Sequence, residues 1–294
     1  MIMLARARVA VIATLLVGVH GAAAAEAVGS LPDSSRLVAI GGSITEIVYA
    51  LGEEKRLIAR DTTSVYPPAA LALPDVGYMR QLSPEGVLSV GPSAVIALEG
   101  SGPREAVEVL KKASVPFLEV PESFDRDGIL VKVRTVGEAL GVAGKAETLA
   151  ASLAADLDAA EKATASLGER KRVMFLLSAQ GGKLLASGSG TAADGVIRLA
   201  GAINAVEGYE GYKPITDEAV ITAAPDVILM MDRGGDEPDP TADILANPAI
   251  ASTPAGQARR FVRMDAAYLL GFGPRTASAV RDLVAQLYGD QVAK

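Results

Sequence analysis

The stretch LSPEGVLSVGPSAVI at residues 82–96 returns in altered form as ITDEAVITAAPDVIL at residues 215–229. When Glu85 is placed on Glu218, a proline follows seven residues later in both copies. Each copy predicts a short helix that ends before the proline and leads into a β-strand, with the strand residues offset by one position. A repeat of this kind predicts two lobes built by duplication. Chance similarity between two unrelated β/α units is the alternative.

Strand and helix patterns alternate around both copies of the repeat. The strand signals are short aliphatic runs, namely RLVAI (36–40), RLIAR (56–60), AVIAL (94–98), PFLEV (116–120), RVMFLLS (172–178), DVILMM (226–231) and RFVRM (260–264). Segments with helical spacing separate many of these runs. Such alternation predicts an α/β fold with parallel sheets whose strands are joined by crossover helices.

Residues 127–171 interrupt this alternation. They are rich in alanine, leucine and charged residues, carry no strand signal and have helix breaks near residues 137–144. We predict a helical connector here, between an N-terminal lobe at residues 36–126 and a C-terminal lobe at residues 172–294. The complete prediction is an α/β protein with two Rossmann-like lobes joined by a long helical connector. A pair of ordinary surface helices is the alternative interpretation of the connector residues.

The N-terminus, MIMLARARVAVIATLLVGVHGAAAAEA, has the form of a secretory signal peptide, with two arginines, a short apolar run and a row of alanines. The apolar run is too short and too poorly flanked to be a good membrane span. We therefore expect residues 1–25 to be removed on export. Because no cysteine follows the alanines, we expect no lipid anchor and a free protein in the bacterial periplasm.

Removal of the signal peptide leaves a chain without histidine or cysteine, since His20 is the only histidine and cysteine is absent. Soft-metal sites, disulfides and Ser-His-Asp triads are therefore excluded. Any ligand to iron or haem must be tyrosine, methionine, lysine or a carboxylate. The loss of Arg6 and Arg8 also takes the formal net charge from −7 to −9, which argues against nucleic acid as a partner.

Three segments now carry a family resemblance: IGGSITEIVYALG, DVGYMRQLSPEGVLSV and PDVILMM. With two lobes, a helical connector and a signal peptide, the chain resembles the helical-backbone (class III) substrate-binding proteins of ABC transporters. Within that class it resembles the periplasmic haem-binding proteins of bacterial haem uptake. The resemblance covers nearly all of the mature chain, and GYMRQLSPEG is its most specific part. It implies a monomer, not an enzyme, that captures haem between its lobes and delivers it to an inner-membrane ABC permease dimer.

The resemblance implies that Tyr78 ligates the haem iron. Ferric iron is a hard cation that suits a phenolate oxygen, so this ligation favours Fe(III). The resemblance also implies that an arginine of the second lobe, assigned to Arg233, hydrogen-bonds the phenolate. Arg80 suits a haem propionate or the same phenolate. The alternatives are a packing role for Tyr78 and a surface ion pair of Arg233 with Asp232 or Asp236.

Glu85 and Glu218 hold equivalent places in the repeat, early in a predicted helix of each lobe. The resemblance implies that one surface glutamate of each lobe docks onto basic residues of the permease. The alternative is a purely local role, because a glutamate in a first helical turn is stabilised by the helix macrodipole.

Three rival functions remain open. The same fold could bind a corrinoid or a ferric siderophore. A haem enzyme is a rival from another class, although the mature chain has no histidine for acid–base work at a haem. An exported adhesion or scaffold module is the third rival, and it predicts no small-molecule pocket.

Overall fold

The computed structural model describes residues 30–165, 167–180, 183–235 and 239–289, so the predicted signal peptide lies outside it. The first lobe is built on a four-stranded sheet of β1 (Leu37–Ile40), β2 (Leu57–Arg60), β3 (Ala94–Leu98) and β4 (Phe117–Val120). These strands are hydrogen-bonded in the order β2-β1-β3-β4, and all three pairs are parallel. The predicted parallel sheet is confirmed in this lobe.

Three helices cover the first sheet: α1 (Gly42–Ala50), α2 (Pro84–Ser89) and α3 (Arg104–Lys112). Every residue of β1 is fully buried, as is every apolar residue on the inner face of α1. Strands of a parallel sheet are covered on both faces, which explains why LVAI is apolar throughout and does not alternate.

Two helices stand between the sheets, α4 (Arg126–Ala139) and α5 (Ala143–Ala165). The Asp125 side chain caps α4 by accepting a hydrogen bond from the Gly128 N–H at 2.7 Å. The two helices pack against each other so closely that a Cβ atom on Gly137 would overlap Ala146. Small residues on both helices therefore allow this approach.

The second lobe contains β5 (Arg172–Gln180), β6 (Lys183–Ser187), β7 (Ile203–Asn204), β8 (Tyr212–Ile215), β9 (Val227–Asp232) and β10 (Phe261–Asp265). The order is β10-β9-β5-β6-β8, with β7 paired to β5. Strand β6 runs antiparallel to both of its neighbours. The predicted parallel arrangement is confirmed for β10, β9, β5 and β7 and fails only at β6, which is antiparallel to β5 and β8.

The helices of the second lobe are α6 (Ala192–Leu199), α7 (Asp217–Ala223), α8 (Thr241–Ala246), α9 (Pro248–Ala251), α10 (Pro254–Gln257), α11 (Ala266–Leu270) and α12 (Thr276–Tyr288). Helix α12 returns to pack against α5, which ties this lobe to the two helices between the sheets. None of the helices in the described ranges is long and apolar enough to cross a membrane.

The repeat seen in the sequence has a counterpart in the structure. Helices α2 and α7 begin after Ser83 and Thr216, whose hydroxyls accept a hydrogen bond from the N–H three residues later. A left-handed residue follows each helix six positions after the glutamate, namely Gly91 with φ 65° and Ala224 with φ 41°. Both following strands begin nine residues after the glutamate. The predicted one-residue offset between the two strands is therefore wrong. The strands begin at equivalent positions, and only the Val-Ile pairs within them differ by one residue.

An arginine fills the same role beside both copies. Arg36, which precedes β1, donates from Nε to the Gly91 carbonyl at 2.8 Å and from Nη2 to the Val90 carbonyl at 2.7 Å. Arg172, which begins β5, donates from Nε to the Ala223 carbonyl at 3.1 Å. In both lobes a guanidinium thus satisfies carbonyls that the end of a helix leaves without a partner. This shared detail favours duplication over chance similarity.

Candidate functional site

Tyr78 lies on the loop between β2 and α2 of the first lobe. Its neighbours Val76 and Met79 are buried, whereas 42% of Tyr78 is exposed. Gly77 has a φ of 102°, a backbone conformation that favours glycine. The turn at this glycine and the two buried anchors together direct the tyrosine outward.

Backbone hydrogen bonds hold this loop at the carboxyl edge of the first sheet. The Thr62 N–H donates to the Gly77 carbonyl at 3.0 Å, and the Gly102 N–H donates to the Met79 carbonyl at 2.8 Å. Thr62 follows β2 and Gly102 follows β3, so both partners belong to loops at strand carboxyl ends. Ligands of open α/β sheets bind at this edge.

Exposed apolar side chains concentrate beside Tyr78. Four of the eight large hydrophobic residues that stay exposed in the described chain lie within residues 65–78, and they are Val65, Tyr66, Leu71 and Tyr78. We call residues 65–78 the rim segment. Exposed apolar side chains that share one segment make that segment a candidate for contact with a ligand or partner.

Tyr78 differs from most of the other tyrosines in its surroundings. Burial raises the pKa of five of the seven, namely Tyr49, Tyr209, Tyr212, Tyr268 and Tyr288. The hydrogen bond of Tyr268 to Asp282 contributes to a pKa of about 12. Burial disfavours the phenolate form at these positions. Tyr66 and Tyr78 are the two that remain well exposed, at 41% and 42%.

Arg80 is exposed. Burial raises the pKa of Tyr212, on β8, and the charge of Arg80 partly opposes that rise. The Tyr212 ring lies 6.2 Å from the Phe175 ring, and Lys213 Nζ lies 5.4 Å from the centre of the Tyr209 ring. Arg80 of the first lobe is therefore near enough to Tyr212 of the second lobe for its charge to act on that phenol.

Arg233 follows β9 of the second lobe and is exposed. Within the described residues, no hydrogen bond joins Tyr78 to Arg80 or to Arg233. The Asp232 carboxylate, a candidate partner of Arg233, pairs with Arg263 at 3.0 Å. The other candidate partner, Asp236, lies outside the described residues.

Glu85 and Glu218 are both exposed, and each is the second residue of its helix. Two residues further on, Val87 and Val220 are fully buried, which turns the two glutamates outward in the same manner. Hydrogen bonds from its own backbone N–H and from Thr216 lower the pKa of Glu218. The geometry is compatible with docking and with stabilisation by the helix macrodipole.

A charge pair that the sequence analysis missed links the lobes directly. Arg275 of the second lobe donates to both carboxylate oxygens of Glu46 on α1, at 2.6 and 2.9 Å. Its guanidinium also lies 3.7 Å from the centre of the Tyr66 ring and 5.2 Å from that of Tyr268. Arg275 therefore bridges the rim segment and the second lobe.

A second missed residue, Lys132 on α4, joins three parts of the chain. Its Nζ donates to Glu122 Oε1 at 2.6 Å, to the Phe272 carbonyl at 3.0 Å and to Ser43 Oγ at 3.5 Å. The sequence does indicate that Lys132 is buried, because it falls on the apolar stripe of Ile129, Val133 and Val136. A lysine in such a stripe calls for a buried acidic partner.

A cavity of about 840 Å³ lies beside α4 and α5 and does not include Tyr78, Arg80 or Arg233. Residues 122–126, the carboxyl half of α5, residues 189–191 and α6 line it. Its lining carries five carboxylates and three guanidinium groups. This excess of carboxylates does not suit a ligand with acidic groups, so the cavity is not a candidate for the predicted site.

Sequence relatives of the chain include substrate-binding proteins. A profile of the periplasmic binding protein family matches residues 37–268. YvrC of Bacillus subtilis, an uncharacterized ABC transporter substrate-binding lipoprotein, is 26% identical over 265 residues, covering 88% of this chain and 81% of the relative. A vitamin B12-binding protein of Pectobacterium carotovorum is 30% identical over 83 residues, which cover 28% of this chain and 30% of the relative.

Solved structures match the chain over most of its length. The periplasmic heme-binding protein BhuT, in complex with two hemes, is 41% identical with a TM-score of 0.81 and covers 88% of this chain and 100% of its own. The apo form of the periplasmic heme-binding protein RhuT from Roseiflexus sp. RS-1 is 38% identical with a TM-score of 0.82 and the same coverage. The chain therefore belongs to the periplasmic binding protein family, because the family profile matches well over half of its residues and its α/β fold is that of class III members.

Proposed function

We propose that this protein captures ferric haem in the cleft between its lobes and delivers it to an inner-membrane ABC permease. It would act as a free, monomeric periplasmic protein after loss of its signal peptide, and not as an enzyme. The observation that carries the proposal is the exposed Tyr78 at the carboxyl edge of the first sheet. Its family context supports haem, because relatives solved as heme-binding proteins are 38–41% identical over 88% of the chain.

Tyr78 is proposed as the ligand to the haem iron. A phenolate oxygen suits ferric iron, and the bound cation itself drives loss of the phenol proton. The other exposed tyrosine, Tyr66, has an arginine stacked on its ring, while burial disfavours the phenolate of the remaining five. Tyr78 is therefore the tyrosine best suited to bind iron without rearrangement of the fold.

The surroundings of Tyr78 fit a flat apolar ligand that carries acidic groups. The exposed apolar residues of the rim segment provide a surface for the porphyrin ring. Arg80 supplies a cation for a haem propionate. Arg233, from the second lobe, is proposed to hydrogen-bond the Tyr78 phenolate and favour its ionised form.

Glu85 and Glu218 are proposed to dock onto a permease dimer. Each lobe presents one of these glutamates on an equivalent capped helix. A permease dimer has two equivalent subunits related by a two-fold axis, so each glutamate would dock on one subunit. Exposed charge pairs of this kind steer the encounter and fix orientation more than they add affinity.

A corrinoid is the second candidate ligand, because vitamin B12-binding proteins share 30% identity with part of the chain. That similarity extends over only 28% of the chain, whereas the haem-binding relatives match 88% of it. Haem is therefore the better-supported ligand.

The test is a parallel titration of the purified mature protein with hemin, cyanocobalamin and a ferric hydroxamate siderophore. We expect hemin alone to give a saturable absorbance change and a raised melting temperature, since a ligand that binds only the native state stabilises it. A saturable response to cyanocobalamin or the siderophore, with none to hemin, would overturn the proposal. Peroxide turnover far above that of free hemin would favour a haem enzyme.

A further inference from the structure

Arg263 on β10 contacts both ends of the loop that carries Arg233. Its Nη2 lies 3.0 Å from Asp232 Oδ1, and its Nη1 lies 2.9 Å from Asp239 Oδ1. Asp232 is the last residue of β9, immediately before Arg233, and Asp239 stands two residues before α8. One guanidinium thus bridges the two points at which the loop leaves the folded lobe.

Both carboxylates also order the backbone beside them. Asp232 Oδ1 accepts a hydrogen bond from the Gly234 N–H at 3.0 Å. Asp239 Oδ1 accepts from the Thr241 N–H at 3.0 Å and from its hydroxyl at 2.6 Å. The two carboxylates are therefore held in fixed positions at which Arg263 can reach both of them.

Arg263 is better placed for this role than an ordinary surface arginine. Parallel pairing of β10 with β9 sets Arg263 opposite Met230, so its backbone belongs to the sheet and not to the loop. Only 25% of the side chain is exposed, and its Nε is buried without a hydrogen-bond partner in the described residues. Ion pairs with partly buried members are less screened by water and salt than exposed pairs.

We propose that Arg263 is a positioning residue for Arg233. By pairing with Asp232 it keeps that carboxylate from pairing with the adjacent Arg233, whose exposed guanidinium is then free to reach the ligand proposed for the cleft. The inference rests on the proposed function, in which Arg233 acts on the haem-bound Tyr78. It adds a residue that acts through Arg233.

The test compares Arg263→Met, Arg233→Met, Asp232→Asn and the double variant Arg263→Met/Asp232→Asn in hemin titrations. Loss of a hydrogen bond to a charged group predicts roughly tenfold weaker hemin binding for Arg263→Met, close to the loss in Arg233→Met. The double variant is expected to regain most of that loss. An asparagine can still accept the Gly234 N–H but no longer attracts Arg233, so Asp232→Asn alone should bind like wild type.

Wild-type hemin affinity in Arg263→Met, or a double variant as weak as the single one, would overturn the inference. A measurement on the protein without hemin separates failure of this inference from failure of the proposed function. In NMR spectra of the arginine side chains, Arg233 should show slowed guanidinium rotation in Arg263→Met but not in the double variant. Unchanged Arg233 signals would also refute the inference, whether or not hemin binds. Should Arg263→Met fail to fold, Arg263→Gln, which keeps a polar side chain but no charge to pair with Asp232, replaces it.

Discussion

Lys132 and Glu122 form an ion pair that water scarcely reaches. Nζ lies 2.6 Å from Oε1, and the side chains are 0% and 13% exposed. Lys132 also donates to groups of both lobes, so the pair stands at the junction of the first lobe, α4 and the second lobe. Removing one member of a buried pair leaves the other charge without compensation.

The first prediction therefore concerns stability. Lys132→Met should lower the free energy of unfolding by about 3–5 kcal/mol, because Glu122 then keeps a buried charge without its partner. Lys132→Met/Glu122→Gln should recover a large part of that loss. Urea unfolding of the two variants and the wild type measures both effects, and equal losses in the single and double variants would refute the role of the uncompensated charge.

The second prediction concerns the pH dependence of the Glu46–Arg275 pair. Burial raises the pKa of Glu46 above its usual value of 4.5, although Arg275 opposes the rise. The folded state therefore holds this proton more tightly than the unfolded state does. The contribution of Glu46 to stability is full below pH 4.5 and is lost as pH rises through its raised pKa.

The measurement is the free energy of unfolding of wild type minus that of Glu46→Gln, determined from about pH 4 to pH 7. Glutamine keeps the size of the side chain without titrating, and Arg275 stays charged throughout. The difference should fall as pH rises above 4.5. A difference that rises with pH would show that the pair lowers the pKa of Glu46.

The third prediction separates docking from haem capture. Glu85→Arg and Glu218→Arg should each weaken the functional coupling to the cognate permease, measured as stimulated ATP hydrolysis in nanodiscs, by roughly tenfold or more. Hemin affinity should not change. Glu105→Arg is the matched control, because Glu105 is also an exposed second residue of a helix but lies outside the repeat. Equal effects of all three variants would argue against specific docking.

The fourth prediction assigns Arg80 to a haem propionate. Arg80→Met should weaken hemin binding by roughly tenfold, since one charge-assisted hydrogen bond is lost. It should leave the binding of hemin dimethyl ester, which has no carboxylate, at the wild-type level. If affinity for the ester falls as much as affinity for hemin, Arg80 acts on the Tyr78 phenolate instead.

Local sequence pattern was sufficient for much of the fold. The aliphatic runs identified β1 to β5, β9 and β10, and the repeat identified two equivalent capped helices with Glu85 and Glu218 at their starts. These features depend on neighbours within one helix turn or one strand. Strands β6 and β8 escaped detection, because both are short and mix polar residues with apolar ones, and β8 also contains a proline.

The charge pairs between the lobes could not be predicted in the same way. Arg275 and Glu46 are 229 positions apart, and Lys132 and Phe272 are 140 apart. Glu46 and Arg275 each look like ordinary surface charges in the sequence, and the apolar stripe around Lys132 indicates burial but not a partner. Only the packing of the lobes shows which groups these side chains meet. The link between Arg263 and the loop of Arg233 has the same origin, since it depends on the pairing of β9 with β10.

The central claim is that Tyr78 ligates haem iron, and hemin titration of Tyr78→Phe against Tyr66→Phe tests it most directly. The two tyrosines are equally exposed on the rim segment, and phenylalanine removes only the phenolic oxygen of each. We predict that Tyr66→Phe keeps the ferric-tyrosinate absorption of the wild-type complex and that Tyr78→Phe loses it and binds hemin far more weakly. A wild-type spectrum and affinity in Tyr78→Phe would contradict the account.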